Sequence, residues 1–439
     1  MWETLLVVQP GKLAERIDRA AERIGVSLAA HGERRADRLA PIDVAAVLES
    51  ARRTGADAVW AGDVTPFDRV TLARTVREAG LTYVGLPTST LELLADKMAL
   101  REVADRVGLR TLPGAAIDAD GTAATRAVEF PAFIKPVRGA RGVGIERVED
   151  RDEFAAALER ARTRCREGLR DEALYLEQEA VDARSIVVVL LRDLHGEETV
   201  LEEREVTLQR AYEPILSETP SPALLERMDG DSVRLALEDY VIRMGRELGV
   251  TGVISFEFLI DASETVWFID ADADDLGAAT ATELVYGVDT TELTLSLCRG
   301  ASVPDWNCIF RSGHAFEALL AAEDPHAKFA AVAEASTGLR LPMPIKRELR
   351  FELTPKEEEV IPHGNDTTLA WCTSFDATRH RAFLKLDRAL ASTDLGGKTS
   401  TKEFLRAVTQ DECFRAGLYD SRFAKRIAAT LKPKPAAKG

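Results

Sequence analysis

Residues 252–283 read GVISFEFLIDASETVWFIDADADDLGAATATE, and the fold turns on how this stretch is parsed. FEFLI and VWFID are β-branched and aromatic runs of strand length, and the polar DASET between them is turn-forming, so the pattern predicts a β-hairpin. That pairing sets Glu257 across from Asp270. Two carboxylates held so close repel unless a proton or a cation sits between them, and hard oxygen ligands with open positions suit Mg²⁺ carrying nucleotide phosphates. The plainer alternative is that acidic residues at strand ends are solvated. Asp272, Asp274 and Asp275 follow, and no basic residue stands between Asp270 and Glu283.

Upstream of the hairpin, DSVRLALEDYVIRMGRELGV has helical spacing, and SIVVVLLRD, HGEET and VLEEREVTLQR read as adjacent strands of an antiparallel meander joined by a tight turn. Earlier still, FPAFIKPVRGARGVGIERVED predicts a strand ending at Lys135, a loop with Gly139, Gly142 and Gly144, and a second strand. Glycines let backbone N–H groups approach phosphate oxygens, and Lys135 adds charge, although Gly-rich hairpin turns are common and Arg138 and Arg141 have water as an equal alternative. Residues 88–110 are expected to be helical, with Thr88 or Ser89 as cap and Lys97 in mid-helix. The first 90 residues alternate strand and helix from TLLVV to LTYVGLP, a parallel α/β pattern with helices stopped at Gly55 and Gly80. QPGKLAER follows the first strand in place of a GxGxxG loop. Downstream, TELVYGVDTTELTLSLCRG is expected to be helical, HAFEALLAAED a strand, and HRAFLKLDRALAS and TKEFLRAVTQ helices.

A chain of 439 residues has room for about three compact units, and 46% hydrophobic with 30% charged residues is the balance of a soluble globular protein. A net charge of −16 argues against general binding to nucleic acid or an anionic membrane, while leaving room for a local basic phosphate pocket. The five cysteines are scattered without a CxxC pair, which predicts reduced thiols rather than a disulfide frame. With no apolar run of membrane-spanning length and no signal-like start, the expected location is the cytoplasm.

A parallel α/β unit, a small Gly-loop unit and a larger antiparallel unit with paired carboxylates, in that order, resemble the ATP-grasp architecture. The closer resemblance is to biotin carboxylase, the ATP-dependent subunit of biotin-dependent acyl-CoA carboxylases. It is carried by LTYVGLPTSTLELLADKMALREVADRVGLRTLPG, YLEQEAVDARSI, REVTLQRAYEPILSETPSPAL, FEFLIDASETVWFIDADAD, ATELVYGVDTTELTLSLCRGASVP, GHAFEALLAAEDP and GGKTSTKEFLRAV. The implied fold class is α/β, ATP-grasp of biotin carboxylase type. It divides into a parallel α/β domain (1–95), a helical linker (96–111), a Gly-loop lid (112–184), an ATP-grasp core with C-terminal region (185–430) and a disordered tail (431–439).

The resemblance implies a site for ATP and Mg²⁺. It places Lys97 and Lys135 as phosphate-binding lysines, Gly139, Gly142 and Gly144 in the flexible lid, and Glu177, Gln209 and Leu259 among the nucleotide contacts. Glu257 and Asp270 fall on the metal carboxylates, the second shortened from Glu, with Asp272 beside them. The acceptor side departs from the family. Its His-Gln-Lys element is Tyr212-Glu213-Pro214, its Asn and Arg are Asp272 and Asp274, its catalytic Glu is Ala278, a further Arg is Leu319, and a nucleotide-side His is Ser185. Each donor lost from such a site typically removes about 2.7–4 kcal/mol of transition-state stabilisation, and Asp274 reverses a charge besides. The expected function is a biotin-carboxylase-like pseudoenzyme subunit. It would keep ATP and Mg²⁺ binding, carry no covalent biotin, and form a homodimer or a heteromer with biotin carboxylase or carboxyltransferase subunits. The alternative is an active ATP-grasp ligase forming an acyl phosphate for a different acceptor.

Overall fold

The structure, a computed structural model, describes residues 2–9, 14–30, 41–118, 121–139, 141–169, 171–210, 212–225, 229–273, 280–304, 310–332, 334–335, 338–353, 360–361 and 367–431. Asp274, Asp275, Ala278, residues 10–13 of the QPGKLAER stretch and all of the tail beyond Leu431 lie outside the described residues.

The chain opens with β1 (Thr4–Gln9), α1 (Ala14–Ile24), β2 (Ser27–Ala30), α2 (Val44–Thr54), β3 (Ala58–Gly62), α3 (Pro66–Glu78) and β4 (Thr82–Val84). The strands form a parallel sheet in the order β2-β1-β3-β4. β3 is buried along its whole length, which is why it reads as an unbroken apolar run and not as an alternation. Local signals set the helix limits: Asp43 accepts from the Ala46 N–H to start α2, and Gly55 at φ 72° ends it.

The single helix expected over 88–110 is two, α4 (Thr88–Leu94) and α5 (Lys97–Arg106). Pro87 holds the first cap position and makes no side-chain cap bond. The break has a local cause: Asp96 leaves helical geometry and its carboxylate accepts from Met98 and Ala99 N–H, starting a new helix. Lys97 is therefore the first residue of α5, and its backbone N–H donates to Val137 O at the start of the Gly loop.

A small antiparallel sheet follows, β5 (Gly114–Ala116), β6 (Ala132–Pro136), β7 (Glu146–Val148) and β8 (Leu174–Gln178), ordered β5-β8-β6-β7, with α6 (Thr122–Ala127) and α7 (Phe154–Gly168). Its core joins Ile134 and Leu176 to Phe154 and Ala161.

The third sheet is antiparallel and begins with the predicted meander, β9 (Arg184–Arg192), β10 (Glu198–Arg210) and β11 (Glu213–Thr219). After α8 (Pro222–Leu225) and α9 (Gly230–Glu247), β12 (Gly252–Ile260) pairs with the free edge of β9, and β13 (Val266–Asp272) adds outside it. The predicted helical stretch after the hairpin is again two helices, α10 (Thr280–Tyr286) and α11 (Thr290–Cys298), parted where Gly287 takes φ 68° and Asp289 caps Glu292 N–H. β14 (His314–Ala321) joins β11. Short strands β15 (Glu323–Asp324), β16 (Ala330–Ala331), β17 (Glu334–Ala335) and β19 (Val360–Ile361) flank β18 (Leu349–Leu353) and β20 (Thr368–Asp376), completing the order β13-β12-β9-β10-β11-β14-β20-β18. Helices α12 (Arg379–Ser392), α13 (Lys402–Gln410), α14 (Glu412–Arg415) and α15 (Phe423–Thr430) cover the far end.

One apolar cluster runs from Leu6, Val59 and Leu72 to Ile254, Phe256 and Phe258, so the parallel sheet and the hairpin share a core. A second gathers Phe316, Trp371, Phe404, Phe414 and Phe423. Inside it, Glu218 is fully buried and accepts from Arg379 Nε (2.7 Å) and Nη2 (2.9 Å) and Tyr419 Oη (2.6 Å), with His314 Nε2 at 2.7 Å. Among the described residues no helix is long and apolar enough to cross a membrane.

Candidate functional site

The hairpin is fixed first by its turn. Asp261 Oδ1 accepts from the backbone N–H groups of Ser263 (2.9 Å) and Thr265 (3.0 Å), and Oδ2 accepts from Trp267 Nε1 (2.7 Å). Phe256, Phe258 and Phe268 then pack together beneath the sheet, with ring centroids 6.5 and 5.8 Å apart. Strand alternation puts Glu257 and Leu259 on the opposite face. Glu257 is paired in register with Asp270, as the sequence predicts.

What the sequence did not disclose is how this charge is balanced. Lys97, at the first turn of α5, is ion-paired with Asp270, and Ser185 Oγ on β9 donates to Glu257 Oε1 at 2.6 Å. Burial pushes the Glu257 carboxyl above its ordinary value. The Ser185 bond works against that, Asp270 adds to it, and both Lys135 and Lys97 oppose it. Burial alone would lower the Lys97 pKa, but Asp270, with Asp272 and Glu257 behind it, holds the ammonium above its usual value.

Lys135 enters from the small sheet. It is ion-paired with Glu177 on the neighbouring strand, whose other oxygen accepts from Arg101 Nη1 at 2.7 Å. Glu177 is 1% exposed, so both of its oxygens are committed to cations inside the protein. Arg101 is a site residue that sequence reasoning missed. The signal was present, since Arg101 is four residues beyond Lys97 and so shares its helix face.

The Gly loop is tied down at both ends. Arg138 bonds Asp96 Oδ2 (2.7 Å) and Asp171 Oδ2 (3.1 Å), and Arg141 is ion-paired with Asp63 beyond β3. Both arginines, which had water as an alternative, are ion-paired instead and hold the loop to its surroundings. Gly142 (φ 69°) and Gly144 (φ 77°) take left-handed backbone, while Gly139 does not. At Gly144 the requirement is also one of space, because a Cβ there would lie 2.4 Å from Cys165 Sγ on α7.

Of the positions expected on the acceptor side, Tyr212 sits in the β10–β11 turn at φ 66° and meets Phe133 of β6 edge-to-face at 5.8 Å, so it touches the small sheet. Gln209 lies opposite Pro214 in that hairpin, and Glu213 opposite Arg210. Leu319 is 3% exposed within the second apolar cluster and in register with Trp371. Leu259 is half-buried, opposite Ser185.

The donor set fits Mg²⁺ with nucleotide phosphates. Among the described residues no three His, Cys, Asp or Glu side chains form a metal-binding group, so Asp272 does not complete a closed cage with Glu257 and Asp270. Mg²⁺ is typically held by one or two carboxylates with phosphate oxygens and water completing its shell, which is what two opposed carboxylates flanked by two lysines offer.

Residues 96–305 match the carbamoyl-phosphate synthase L chain, ATP binding domain, and residues 317–426 match the biotin carboxylase C-terminal domain. Biotin carboxylase 2 of Bacillus subtilis (strain 168) is 24% identical over 97% of this chain and 100% of its own length. The mitochondrial methylcrotonoyl-CoA carboxylase subunit alpha of Oryza sativa subsp. japonica is 25% identical over 98% of this chain and 61% of its own. Among solved structures, the biotin carboxylase domain dimer of Hydrogenobacter thermophilus 2-oxoglutarate carboxylase, in complex with MgADP, ADP and bicarbonate, superposes with a TM-score of 0.90. It is 23% identical and covers 98% of this chain and 100% of that one. The biotin carboxylase-beta-gamma-ATP complex from Campylobacter jejuni gives 0.87 at 21% identity, covering 97% of this chain and 99% of that one. With an ATP binding domain and a biotin carboxylase C-terminal domain matched in this order and the fold shared along nearly the whole length, the chain has the biotin carboxylase ATP-grasp domains and is homologous to biotin carboxylases and acyl-CoA carboxylase alpha subunits.

Proposed function

We propose that the protein is a biotin-carboxylase-like subunit of a biotin-dependent carboxylase assembly that binds ATP with Mg²⁺ and has lost carboxyl transfer to biotin. The observation that carries this reading is the contrast between the residues expected to hold nucleotide and metal and a position expected to serve the acceptor. Glu257, Asp270, Lys97 and Lys135 converge, whereas the position expected to hold a cation is Leu319, packed into an apolar core. Lys97 and Lys135 would meet phosphate charge, and Glu257 and Asp270 would hold the metal, whose bound nucleotide supplies the phosphoryl group. Ser185 and Lys97 keep the two carboxylates oriented toward one another's strand. In this reading the protein acts in the cytoplasm as a homodimer or beside a catalytic carboxylase subunit.

Calorimetry is expected to show Mg-dependent ATP binding that Lys97→Ala weakens about 10- to 150-fold, the worth of a hydrogen bond to a charged group. ADP release is expected to be unchanged by bicarbonate with free biotin. Bicarbonate-dependent release that disappears in Asp270→Ala overturns the loss of carboxyl transfer, and absence of ATP binding at high Mg²⁺ overturns the nucleotide half. The acidic surroundings of Lys97 favour a second reading, an ATP-grasp ligase with a cationic acceptor. ADP release stimulated by an amine-bearing acceptor distinguishes it.

A further inference from the structure

Away from the carboxylate pair, a cleft of about 340 Å³ opens where the edge of the parallel sheet meets the far ends of β9 and β12. Its walls include Arg77 from the end of α3, Thr82 from β4, Arg192 from β9, Thr251 before β12, and Leu81 and Leu194. The chain carries 73 acidic residues, yet none lines this cleft. Gly252 begins β12 five residues ahead of Glu257, roughly 17 Å along the strand, so the cleft and the carboxylate pair are separate.

Both guanidinium groups are held in place with positive charge left over. Arg77 Nη1 donates to Thr88 Oγ1 (2.6 Å), Nη2 donates to Leu86 O (3.1 Å), and the group lies 5.0 Å from the Tyr83 ring centroid. These partners are neutral, and among the described residues no carboxylate forms an ion pair with Arg77. Burial lowers its pKa from the ordinary value. Arg192 donates Nε to Glu198 (2.8 Å) and Nη1 to Val250 O (2.8 Å), but Glu198 is shared with Arg246 (2.7 Å), so one carboxylate serves two cations. Asp193, next to Arg192, keeps its charge but forms no ion pair with either arginine among the described residues. Asp193 accepts from the backbone N–H groups of His195 (2.8 Å), Glu197 (3.0 Å) and Val303 (3.1 Å). The Cys298 thiol on the cleft wall, pushed up to about 11 by burial, is neutral at physiological pH.

We propose that this cleft binds a small organic anion, a carboxylate or phosphate on a short apolar body, with Arg77 and Arg192 on the head and Leu81 and Leu194 against the body. Fixed guanidinium donors in a local excess of positive charge recognise such a head by charge-assisted hydrogen bonds, and the hydroxyls of Thr82 and Thr251 offer further partners.

The test is calorimetry of the full chain with phenyl phosphate and with hexanoate, each repeated at saturating ATP. Saturable binding at about 1 mM or tighter is expected for at least one probe, and which one binds assigns the head group. Arg77→Gln is expected to weaken it by tenfold or more. Thr82→Trp, which fills the cleft from the exposed start of β4, is expected to abolish it with the thermal unfolding midpoint unchanged. The proposal fails if neither probe binds saturably, if binding survives both substitutions, or if ATP displaces the probe.

Discussion

In urea titrations at neutral pH, Glu218→Gln is expected to be less stable than the parent chain by about 3–5 kcal/mol, the cost of removing one partner from a buried charge pair. Burial would raise the Glu218 carboxyl, but Arg379 and His314 overcome it and hold the group at about 2. Because the folded value is depressed, the stabilisation is fully present above the unfolded carboxylate value of about 4.3 and is lost as pH falls toward the folded one. The parent and variant curves should therefore converge in acid. A neutral-pH difference below about 1 kcal/mol, or one that widens in acid, contradicts the assignment.

Arg16→Ala is expected to cost a similar amount, about 3–5 kcal/mol, for a different reason. Arg16 is 2% exposed on α1 and ion-paired with Glu283 on α10, which also accepts from Thr290 N and Oγ1, both at 2.9 Å. Truncating Arg16 leaves a buried carboxylate that burial already pushes upward. Adding Glu283→Gln removes that charge, so the double variant should recover part of the loss, with a coupling of roughly 1–3 kcal/mol in a double-mutant cycle. Strict additivity would show that the two side chains do not act as a pair.

The hairpin was readable because its information is local. Alternating side chains, a polar turn and five or more residues per strand specify which carboxylates face each other, and Glu257 opposite Asp270 followed. The parallel opening was readable for the same reason, with Gly55 and Gly80 marking helix ends. The breaks within 88–110 and 280–298 were also local, but a single aspartate at Asp96 or Asp289 had to be preferred over continued apolar periodicity. Glu218 was not readable at all. It sits in the buried strand β11, and its partners His314, Arg379 and Tyr419 lie 96, 161 and 201 residues away. The pairing of Lys135 with Glu177 and Arg101 was hidden likewise. Three elements meet there, and no spacing within any one of them announces the meeting.

The ion pair between Arg16 and Glu283 joins positions 267 residues apart in the chain. At about 5–20 residues per second of synthesis, the interval between their emergence is on the order of 10–50 s. Throughout it the Arg16 guanidinium remains hydrated, because the carboxylate that offsets its burial has not yet been made. The partner that offsets burial of Arg16 on the first helix is thus supplied only after the hairpin and the start of the helix behind it have been made, and the ion pair at this end of the molecule has to wait for it.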